Sequence, residues 1–463
     1  MKFTWDRNTE ITTEDIPELT EEIIFGGDFN KHIGPNVLPN FLETIKFGRY
    51  FNQPIGENVL PDSLETIEFG HDFNQPIGEN VLPNSLKSVK FGRKFNQQIG
   101  ENVLPDSLTA VDLGHGFNQP ICENVLPDSL ETIQFGWKFN QQIGENVLPN
   151  SLKTIRFGHK FNQPIGENIL PNSLKSVKFG YNFNQSIGEN VLPDPLKTII
   201  FGYKFNQPIS ENALPDLLET IEFGYEFNQP IGENVLPNSL KTIIFGRDFN
   251  QSIGENVLPN YLISIVFGDA FNQPIGKNVL PNSLKTIEFG YDFNQQLGEN
   301  VLPNRLEVIR FSCKFNHPIC KNVLPRSIKC VEIGRYGHSP STYNQPISAL
   351  YNLNHIERVS LHTKNCIEIE VDLLPPSLKY LYTSNADIAL YLNPESQRIW
   401  FSVILVGLPS SLDVTYPILL PSVYEHDGKY EVIGTKTIGD NEYNILINPE
   451  CYQPRSNAKS ARK

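Results

Sequence analysis

The sequence predicts a mainly β fold, a solenoid of about 17 coils of 22 residues with one parallel sheet. Three observations support this prediction: a strict repeat, a short alternating apolar pattern, and helix-breaking residues in the rest of each copy. The repeat contains Phe-Asn-Gln-Pro-Ile-Gly-Glu-Asn-Val-Leu-Pro-Asn-Ser-Leu and recurs without insertion from Phe29 to Phe315. Each coil is numbered here from this phenylalanine, which is position 1. Such a period is typical of units that bury their apolar faces only against their neighbours.

Each copy contains one predicted strand, around positions 16 to 19. In the copy that begins at Phe51, Leu64, Ile67 and Phe69 occupy positions 14, 17 and 19, while position 18 varies between copies. This alternation is typical of a strand with one buried face, and the spacing matches the Leu-x-x-Leu-x-Leu core of a leucine-rich repeat. We therefore expect these three side chains to be buried and Glu68 to be exposed. The strands should stack in parallel at roughly 4.8 Å per coil.

The rest of the copy is predicted to be extended chain and tight turns, because Pro61, Gly56 and their equivalents interrupt any helix. Positions 2 and 8 are Asn in every copy, as at Asn52 and Asn58. We expect both to face inward and pair with backbone groups, since an unpaired buried group costs about 1–3 kcal/mol. Position 20 is Gly from Gly26 to Gly290, and we expect a positive φ there as the strand ends.

The sequence divides into four predicted segments. The repeat phase persists weakly beyond the regular array, because Tyr343 restores the motif after a six-residue excess and Leu378 and Leu381 fit one period later. The period is lost from about Asp387, although residues 430–447 are typical of two strands around a Gly-Asp-Asn turn. The predicted segments are an N-terminal segment (1–15), the solenoid with its degenerate C-terminal coils (16–386), a β-rich cap or small domain (387–454) and a basic disordered tail (455–463).

The signature Phe-Asn-x-Pro-Ile, carried literally by Phe51, Asn52, Pro54 and Ile55, resembles that of the FNIP repeat family. The resemblance covers about residues 25–381, over three quarters of the chain. The family is associated with social amoebae and large DNA viruses of amoebae. The resemblance implies a leucine-rich-repeat-like solenoid used for protein binding. Some relatives carry an F-box or a kinase domain, but the segment before the first coil is short for an F-box and no kinase motif is present.

Composition limits the class of partner. The formal net charge is −14, which argues against nucleic acid as the main partner because phosphate binding needs a clustered basic face. The six cysteines are irregularly placed and do not make a disulfide framework, so we expect a reducing compartment. The polar N-terminus carries no apolar signal core, and no stretch approaches 18 apolar residues. We therefore expect a cytoplasmic protein without nucleic-acid or membrane partners.

Positions 18 and 21 carry the candidate binding residues. Position 21 is rich in Tyr, Trp and Arg, the types enriched at binding hot spots, and position 18 should face outward with aliphatic residues among charged ones. The alternative is an aromatic ladder that only stacks and stabilises the sheet, and the two roles do not exclude each other. The predicted partner-binding band runs from Trp137 to Val266. Its candidate residues are Trp137, Tyr181, Ile200, Tyr203, Tyr225, Ile244 and Arg247.

Other chemically interesting residues favour structural roles. Position 7 is Glu in 11 of 14 copies, beginning at Glu57, and we expect a solvated acidic row, although it could attract cations or a basic partner. The possible metal ligands Cys313, His317, Cys320 and Cys330 fall on different sides of the coil, so no metal site is predicted. No Ser-His-Asp, Walker, Rossmann or zincin pattern is present, and no catalytic residue or cofactor is predicted.

The predicted function is a non-enzymatic repeat scaffold for protein–protein interaction, with an unidentified protein partner. Solenoids offer a long regular surface and rarely an enclosed catalytic pocket, which favours this prediction. The alternative is a carbohydrate-binding repeat surface that uses the aromatic band. An enzyme would require a pocket of convergent polar residues after Asp387.

Overall fold

The structure, a computed structural model, describes the repeat array and parts of the C-terminal region. The described residues are 1–320, 322–334, 341–345, 348–362, 368–370, 375, 377–378, 380–383, 389–391, 402–405, 431–438 and 441–447. The chain divides into two compact units, Met1–Gly246 and Arg247–Lys463. The predicted basic tail, residues 455–463, lies outside the described residues.

The first unit is built on short strands that pair in parallel in chain order. Each strand residue lies opposite its equivalent in the next coil, as Ile45 lies opposite Ile67. Between strands the chain forms extended segments and turns, and the one helical element of this unit is a 3₁₀ turn at Thr13–Asp15. The strands are β1 (Lys2–Trp5), β2 (Glu22–Phe25), β3 (Thr44–Lys46), β4 (Thr66–Glu68), β5 (Ser88–Lys90), β6 (Ala110–Asp112), β7 (Thr132–Gln134), β8 (Thr154–Arg156), β9 (Ser176–Lys178), β10 (Thr198–Ile200), β11 (Thr220–Glu222) and β12 (Thr242–Ile244).

The second unit continues the same pattern of parallel strands and adds a hairpin. Its parallel strands include β13 (Ser264–Val266), β14 (Thr286–Glu288), β15 (Val308–Phe311), β16 (Cys330–Ile333) and β17 (Arg358–Leu361), followed in the sheet by β19 (Tyr380–Thr383) and β21 (Ser402–Leu405). A 3₁₀ helix spans Ser348–Asn352. Strands β18 (Glu368–Glu370) and β20 (Ala389–Tyr391) form a separate parallel pair, and β22 (Glu431–Ile438) and β23 (Asn441–Ile447) form an antiparallel hairpin.

The predicted fold class is confirmed, with a parallel β-solenoid in each unit. The hairpin also agrees with the two strands predicted near the C-terminus. Two features at the ends of the array were not predicted. Strand β1 lies in the N-terminal segment, residues 1–15, where no strand was predicted, and it pairs with β2. The parallel pairing also reaches β21, beyond residue 386.

The apolar pattern maps onto the core as predicted. Leu64 and Ile67 are fully buried and Phe69 is 4% exposed. The neighbouring Glu68 points outward, with 39% of its side chain exposed. The strand register predicted from alternation is therefore confirmed.

Two columns of phenylalanine, at positions 1 and 19, fill the core beside the aliphatic residues. Phe69 stacks on Phe91 with ring centroids 5.5 Å apart, and Phe73 stacks on Phe95 at 6.1 Å. Within one turn, Phe69 and Phe73 are 4.0 Å apart. The position-19 column is interrupted at Leu113, which replaces the phenylalanine there. Each coil thus buries its aromatic rings largely against the next coil, as a one-dimensional stack requires.

One prediction about position 18 is wrong in part of the second unit. Glu288 and Glu332 are only 8% and 7% exposed, although this position was expected to face solvent. Arg310 lies between them on β15 and covers both. Its Nη1 is 3.2 Å from a Glu288 carboxylate oxygen and its Nε is 2.9 Å from one of Glu332.

The two invariant asparagines have different roles. At position 2, the Asn52 Oδ1 accepts from the Asn74 backbone N–H at 2.8 Å, and Asn74 serves Asn96 in the same way. The prediction that this residue pairs with the next coil is confirmed. At position 8 the prediction is wrong, because Asn58 is exposed rather than inward-facing. Position 8 has φ between +57° and +67° in every coil, a left-handed conformation that Asn tolerates better than most residues.

The predicted positive φ at position 20 is found at Gly114 but is wrong for the other described copies from Gly26 to Gly290. Among the described glycines, only Gly114 and Gly334 have a positive φ. A Cβ atom on Gly180 would lie 1.7 Å from the carbonyl oxygen of Gly158 in the preceding coil. Glycine is therefore required because adjacent backbones approach closely at this position.

Candidate functional site

The position-21 side chains from His115 to Tyr225 form a continuous stack. Successive ring centroids are 5.2, 3.7, 4.4, 4.3 and 4.2 Å apart, and the ring planes lie within 13° of parallel. Stacking, one of the two roles considered for these residues, is therefore present in the structure. This stack is called the aromatic ladder, and its members are His115, Trp137, His159, Tyr181, Tyr203 and Tyr225.

The ladder remains partly accessible. Trp137 is 45% exposed and Tyr181 is 36% exposed, and the other members are half-buried. Each interior ring has a neighbour against both of its faces. The surface that the interior rings offer to a ligand is therefore their edges rather than their faces.

Backbone hydrogen bonds fix the spacing of the ladder. The Phe183 N–H donates to the Gly180 carbonyl at 3.1 Å and closes the turn that follows the strand. The Asn182 N–H donates to the His159 carbonyl of the preceding coil at 2.9 Å. Tyr181 lies between these two bonds, and equivalent bonds recur in the neighbouring coils. The backbones of successive position-21 residues are therefore held one coil spacing apart.

The predicted isoleucines lie on the outward face of the sheet but not in one patch. Ile200 on β10 lies opposite Lys178 of β9 and Glu222 of β11. Ile244 on β12 lies opposite the same Glu222. The glutamate separates the two half-buried isoleucines, so they do not form a continuous apolar surface.

Arg247 belongs to the second unit, where its Nε is 3.2 Å from an Asp269 carboxylate oxygen. Val266 also lies in that unit, half-buried on β13. The candidates that the structure brings into one ladder are Trp137, Tyr181, Tyr203 and Tyr225.

An open groove of about 550 Å³ lies beside the upstream part of the ladder. Outward side chains from positions 18 and 21 of strands β5 to β9 and their following turns line it. This groove was not predicted from the sequence. Its outward residues are Lys90, Arg93, Asp112, His115, Gln134, Trp137, Arg156, His159 and Lys178.

The groove is mainly cationic. It contains four lysine or arginine side chains and a single carboxylate, that of Asp112. Lys90 is paired with Glu68 at 2.6 Å, whereas Arg156 and Lys178 have no ion pair in the first unit, all of whose residues are described. A signal for this groove exists in the sequence, in the basic residues that recur at position 18 within an otherwise acidic chain.

The ionisable groups of the groove respond to burial and to its cations. Burial raises the pKa of the Asp112 carboxyl, against the lowering effect of the hydrogen bond from the Gly114 N–H. Burial also lowers the pKa of His115 and of His159, and nearby cationic side chains lower both further. Both imidazoles are therefore held toward their neutral form, so they do not add to the positive charge near neutral pH.

The remaining candidate residues do not converge on a site. The described position-7 glutamates, such as Glu57, are exposed. Cys313 is buried, Cys320 is exposed, and burial raises the pKa of the Cys330 thiol to about 11. His317 contacts the Asn294 carbonyl at 2.9 Å. In the part of the chain that the structure describes, no three His, Cys, Asp or Glu side chains are grouped as metal ligands would be.

Comparison with one solved structure supports the repeat architecture. CroV588, a circular LRR protein from a giant virus whose crystal structure is known, is 40% identical to this chain, with a TM-score of 0.62. That match covers 88% of this chain and 72% of the viral one. A leucine-rich repeat protein from Eubacterium ventriosum is 12% identical, with a TM-score of 0.15 over 76% of this chain and 86% of its own. No curated protein matches the chain significantly.

The family model named FNIP Repeat matches eight successive segments. The matched residues are 8–48, 29–72, 73–116, 117–160, 161–204, 205–248, 249–292 and 293–336. Among the described residues, no helix has the length and apolar character of a membrane span.

The segments that match the FNIP Repeat model follow one another through more than half of the chain, in phase with the coils of the structure. The chain therefore belongs to the FNIP repeat family.

Proposed function

We propose that this chain is a non-enzymatic scaffold that binds a protein partner through the outward face bearing the aromatic ladder. The observation that carries the proposal is the ladder itself. Its rings are fixed by stacking at 3.7–4.4 Å from Trp137 to Tyr225, yet Trp137 and Tyr181 remain substantially exposed. Tyr and Trp are enriched at binding hot spots, and rings that are already ordered lose little conformational entropy on binding.

The geometry favours a protein over a carbohydrate. A sugar ring typically packs on the free face of an aromatic side chain. Tyr181 and Tyr203 each have both faces against other rings. Their edges instead suit mixed apolar and polar contact with a protein surface.

The triple substitution Tyr181→Ala, Tyr203→Ala, Tyr225→Ala tests the proposal. We expect affinity capture of the wild-type chain's protein partner to fall by well over about tenfold, because a contiguous set of anchor rings is removed. The matched control is Tyr261→Ala, which removes a 70% exposed tyrosine from the second unit and should leave capture unchanged. Capture is measured at low temperature, with circular dichroism to confirm that both variants are folded.

If the triple variant loses stability but retains its partner, the ladder has a stacking role only. The exposed position-7 row beginning at Glu57 would then be the next surface to test, and its binding should weaken steeply with salt. The cytoplasmic location remains a prediction. It is supported by Cys122, Cys320 and Cys330, which form no disulfide among the described residues and suit a reducing compartment.

A further inference from the structure

The outward face around β7 to β10 has a charge opposite to that of the whole chain. In the four coils that contain these strands, positions 15, 18 and 22 carry eight lysine or arginine residues and one glutamate, whereas the chain has a net charge of −14. All eight cationic side chains are exposed. They are called the basic face and comprise Lys138, Lys153, Arg156, Lys160, Lys175, Lys178, Lys197 and Lys204.

Most of this charge is not neutralised within the first unit. Lys153 pairs with Glu131, and Lys197 lies 2.8 Å from a carboxylate oxygen of Glu219. The other six members make no ion pair there, and every residue of this unit is described. Unpaired cations of one sign on a common face create a positive potential that attracts anionic ligands.

The basic face adjoins the groove and the aromatic ladder. Arg156 and Lys178 belong to the basic face and also line the groove. Lys160 and Lys204 lie close enough to the ladder to lower the pKa of His159. At its downstream end the face continues into apolar and aromatic side chains, Ile200 at position 18 and Tyr203 at position 21.

We propose that the basic face binds an extended, carboxylate-rich segment of a protein partner, with the groove as the centre of the site. This inference rests on the proposed function and specifies the chemistry of the partner. The first and last of four coils spaced at roughly 4.8 Å lie about 14 Å apart, which is the length of about four extended residues. A short acidic peptide is therefore long enough to contact every coil of the basic face.

Two observations favour an acidic peptide over a single-stranded nucleic acid. Proteins that bind single strands offer aromatic faces on which bases stack, but the faces of His159 and Tyr181 are occupied by neighbouring rings. The net charge of −14 also repels a long polyanion more strongly than a short segment that contacts the basic face alone. The adjoining Ile200 and Tyr203 suit the apolar side chains that a protein segment carries.

The test uses the full chain and a fluorescent peptide of about eight consecutive glutamates, with binding followed by anisotropy at low ionic strength. The variant is Arg156→Glu with Lys178→Glu. Glutamate is accommodated at position 18 in this fold, as at Glu68 and Glu222. We expect at least about a tenfold loss of peptide affinity, since two attractive charges become repulsive at the centre of the site.

The matched control is Lys277→Glu with Arg305→Glu, which reverses the same number of exposed cations in the second unit. It makes the net charge equally negative and should change peptide affinity by less than about twofold. Wild-type affinity should fall steeply with added salt. A peptide of eight lysines should not bind to the basic face.

Three results would overturn the inference: no saturable binding of the glutamate peptide, equal affinity for the groove and control variants, or tighter binding of an oligothymidylate that the groove variant abolishes. The tyrosine triple variant separates this inference from the proposed function. If that variant loses the protein partner but the glutamate peptide fails to bind, the scaffold role stands and the acidic-segment inference alone is rejected.

Discussion

Position 18 of the strands carries charged residues in both units, but the charges are arranged differently. In the first unit, Arg156 and Lys178 follow one another in adjacent coils and are exposed without an ion pair. In the second unit, Arg310 bridges Glu288 and Glu332, which are almost fully buried. The strand geometry is the same in the two places. The order of charges along one column therefore decides whether the charged side chains pair with one another.

Position 15 shows that alternation has the same effect in either unit. In each unit, one glutamate forms ion pairs with two lysines, one from the preceding coil and one from the following coil. The first unit has Lys197–Glu219–Lys241 and the second has Lys285–Glu307–Lys329. Like charges in succession leave hydrated cations, whereas alternating charges form local pairs. The following predictions test this contrast, beginning with what the two units share.

The largest expected effect is common to both units. Phe157→Ala and Phe289→Ala should each lower the free energy of unfolding by about 3–5 kcal/mol, because each leaves a cavity in the same core column. Chemical denaturation measures the loss. Faster amide hydrogen exchange should appear first in the coils near the substitution, around residues 135–180 for Phe157→Ala. A loss confined to one of the two variants would show that the columns are not equivalent.

The next prediction separates the two faces directly. Arg310→Ala should destabilise the chain by about 2 kcal/mol, because it removes the guanidinium that contacts two mostly buried carboxylates. Arg156→Ala removes an exposed, unpaired arginine from the same strand position and should change stability by less than about 0.5 kcal/mol. Both variants are compared by urea denaturation at neutral pH. Equal losses would contradict the distinction between paired and unpaired charges.

The lysine–glutamate–lysine arrangement should be visible as a pH dependence. Hydrogen bonds from Lys197 and Lys241 lower the pKa of Glu219 to about 2 from an ordinary value of 4.5. Because the folded pKa is below the unfolded one, this stabilisation is complete above pH 4.5 and is lost as the pH falls toward 2. Carbon-detected NMR of the Glu219 carboxyl measures the midpoint. Replacing both lysines by Met should return the midpoint close to that of an isolated glutamate.

The smallest effect concerns the single carboxylate of the groove. Burial raises the pKa of Asp112, so the folded state disfavours its ionised form. Stability from this group is therefore greatest at low pH and declines as the pH rises through the folded pKa. Asp112→Asn should give a small rise in melting temperature at neutral pH that disappears in acid. It should also increase the affinity of the groove for the glutamate peptide, and a decrease would contradict the assigned charge of the site.

Much of the fold follows from the sequence because each coil repeats the same pattern of apolar residues that must be buried. The spacing of Leu64, Ile67 and Phe69 is sufficient to place the strand and its buried face. The wrong assignments concern backbone detail. Whether Asn58 turns inward or adopts a positive φ, and whether Gly180 is required by φ or by a neighbouring carbonyl, depends on how closely adjacent coils approach. That distance is not encoded in a single copy of the repeat.

The candidate site was predicted only in part, for a related reason. The tyrosines of position 21 were identified because aromatic residues are conspicuous in a column. The basic face was missed because the net charge of −14 was taken over the whole chain and used to limit partners. Reading positions 15, 18 and 22 separately would have shown Arg156 and Lys178 among other cations. The burial of Glu288 likewise required knowledge of Arg310 on the next strand.

The asparagine ladder has a consequence for how such a chain changes in length over evolutionary time. Each position-2 residue supplies the acceptor that the following coil needs, as Asn52 does for Asn74, and Asn8 supplies it for Asn30 at the start of the array. The Asn344 N–H still donates to the Asn316 Oδ1, although the coil between them is longer. A gene duplication of one 22-residue segment therefore enters the array without any compensating substitution. Coil number and surface residues are free to diverge independently under selection.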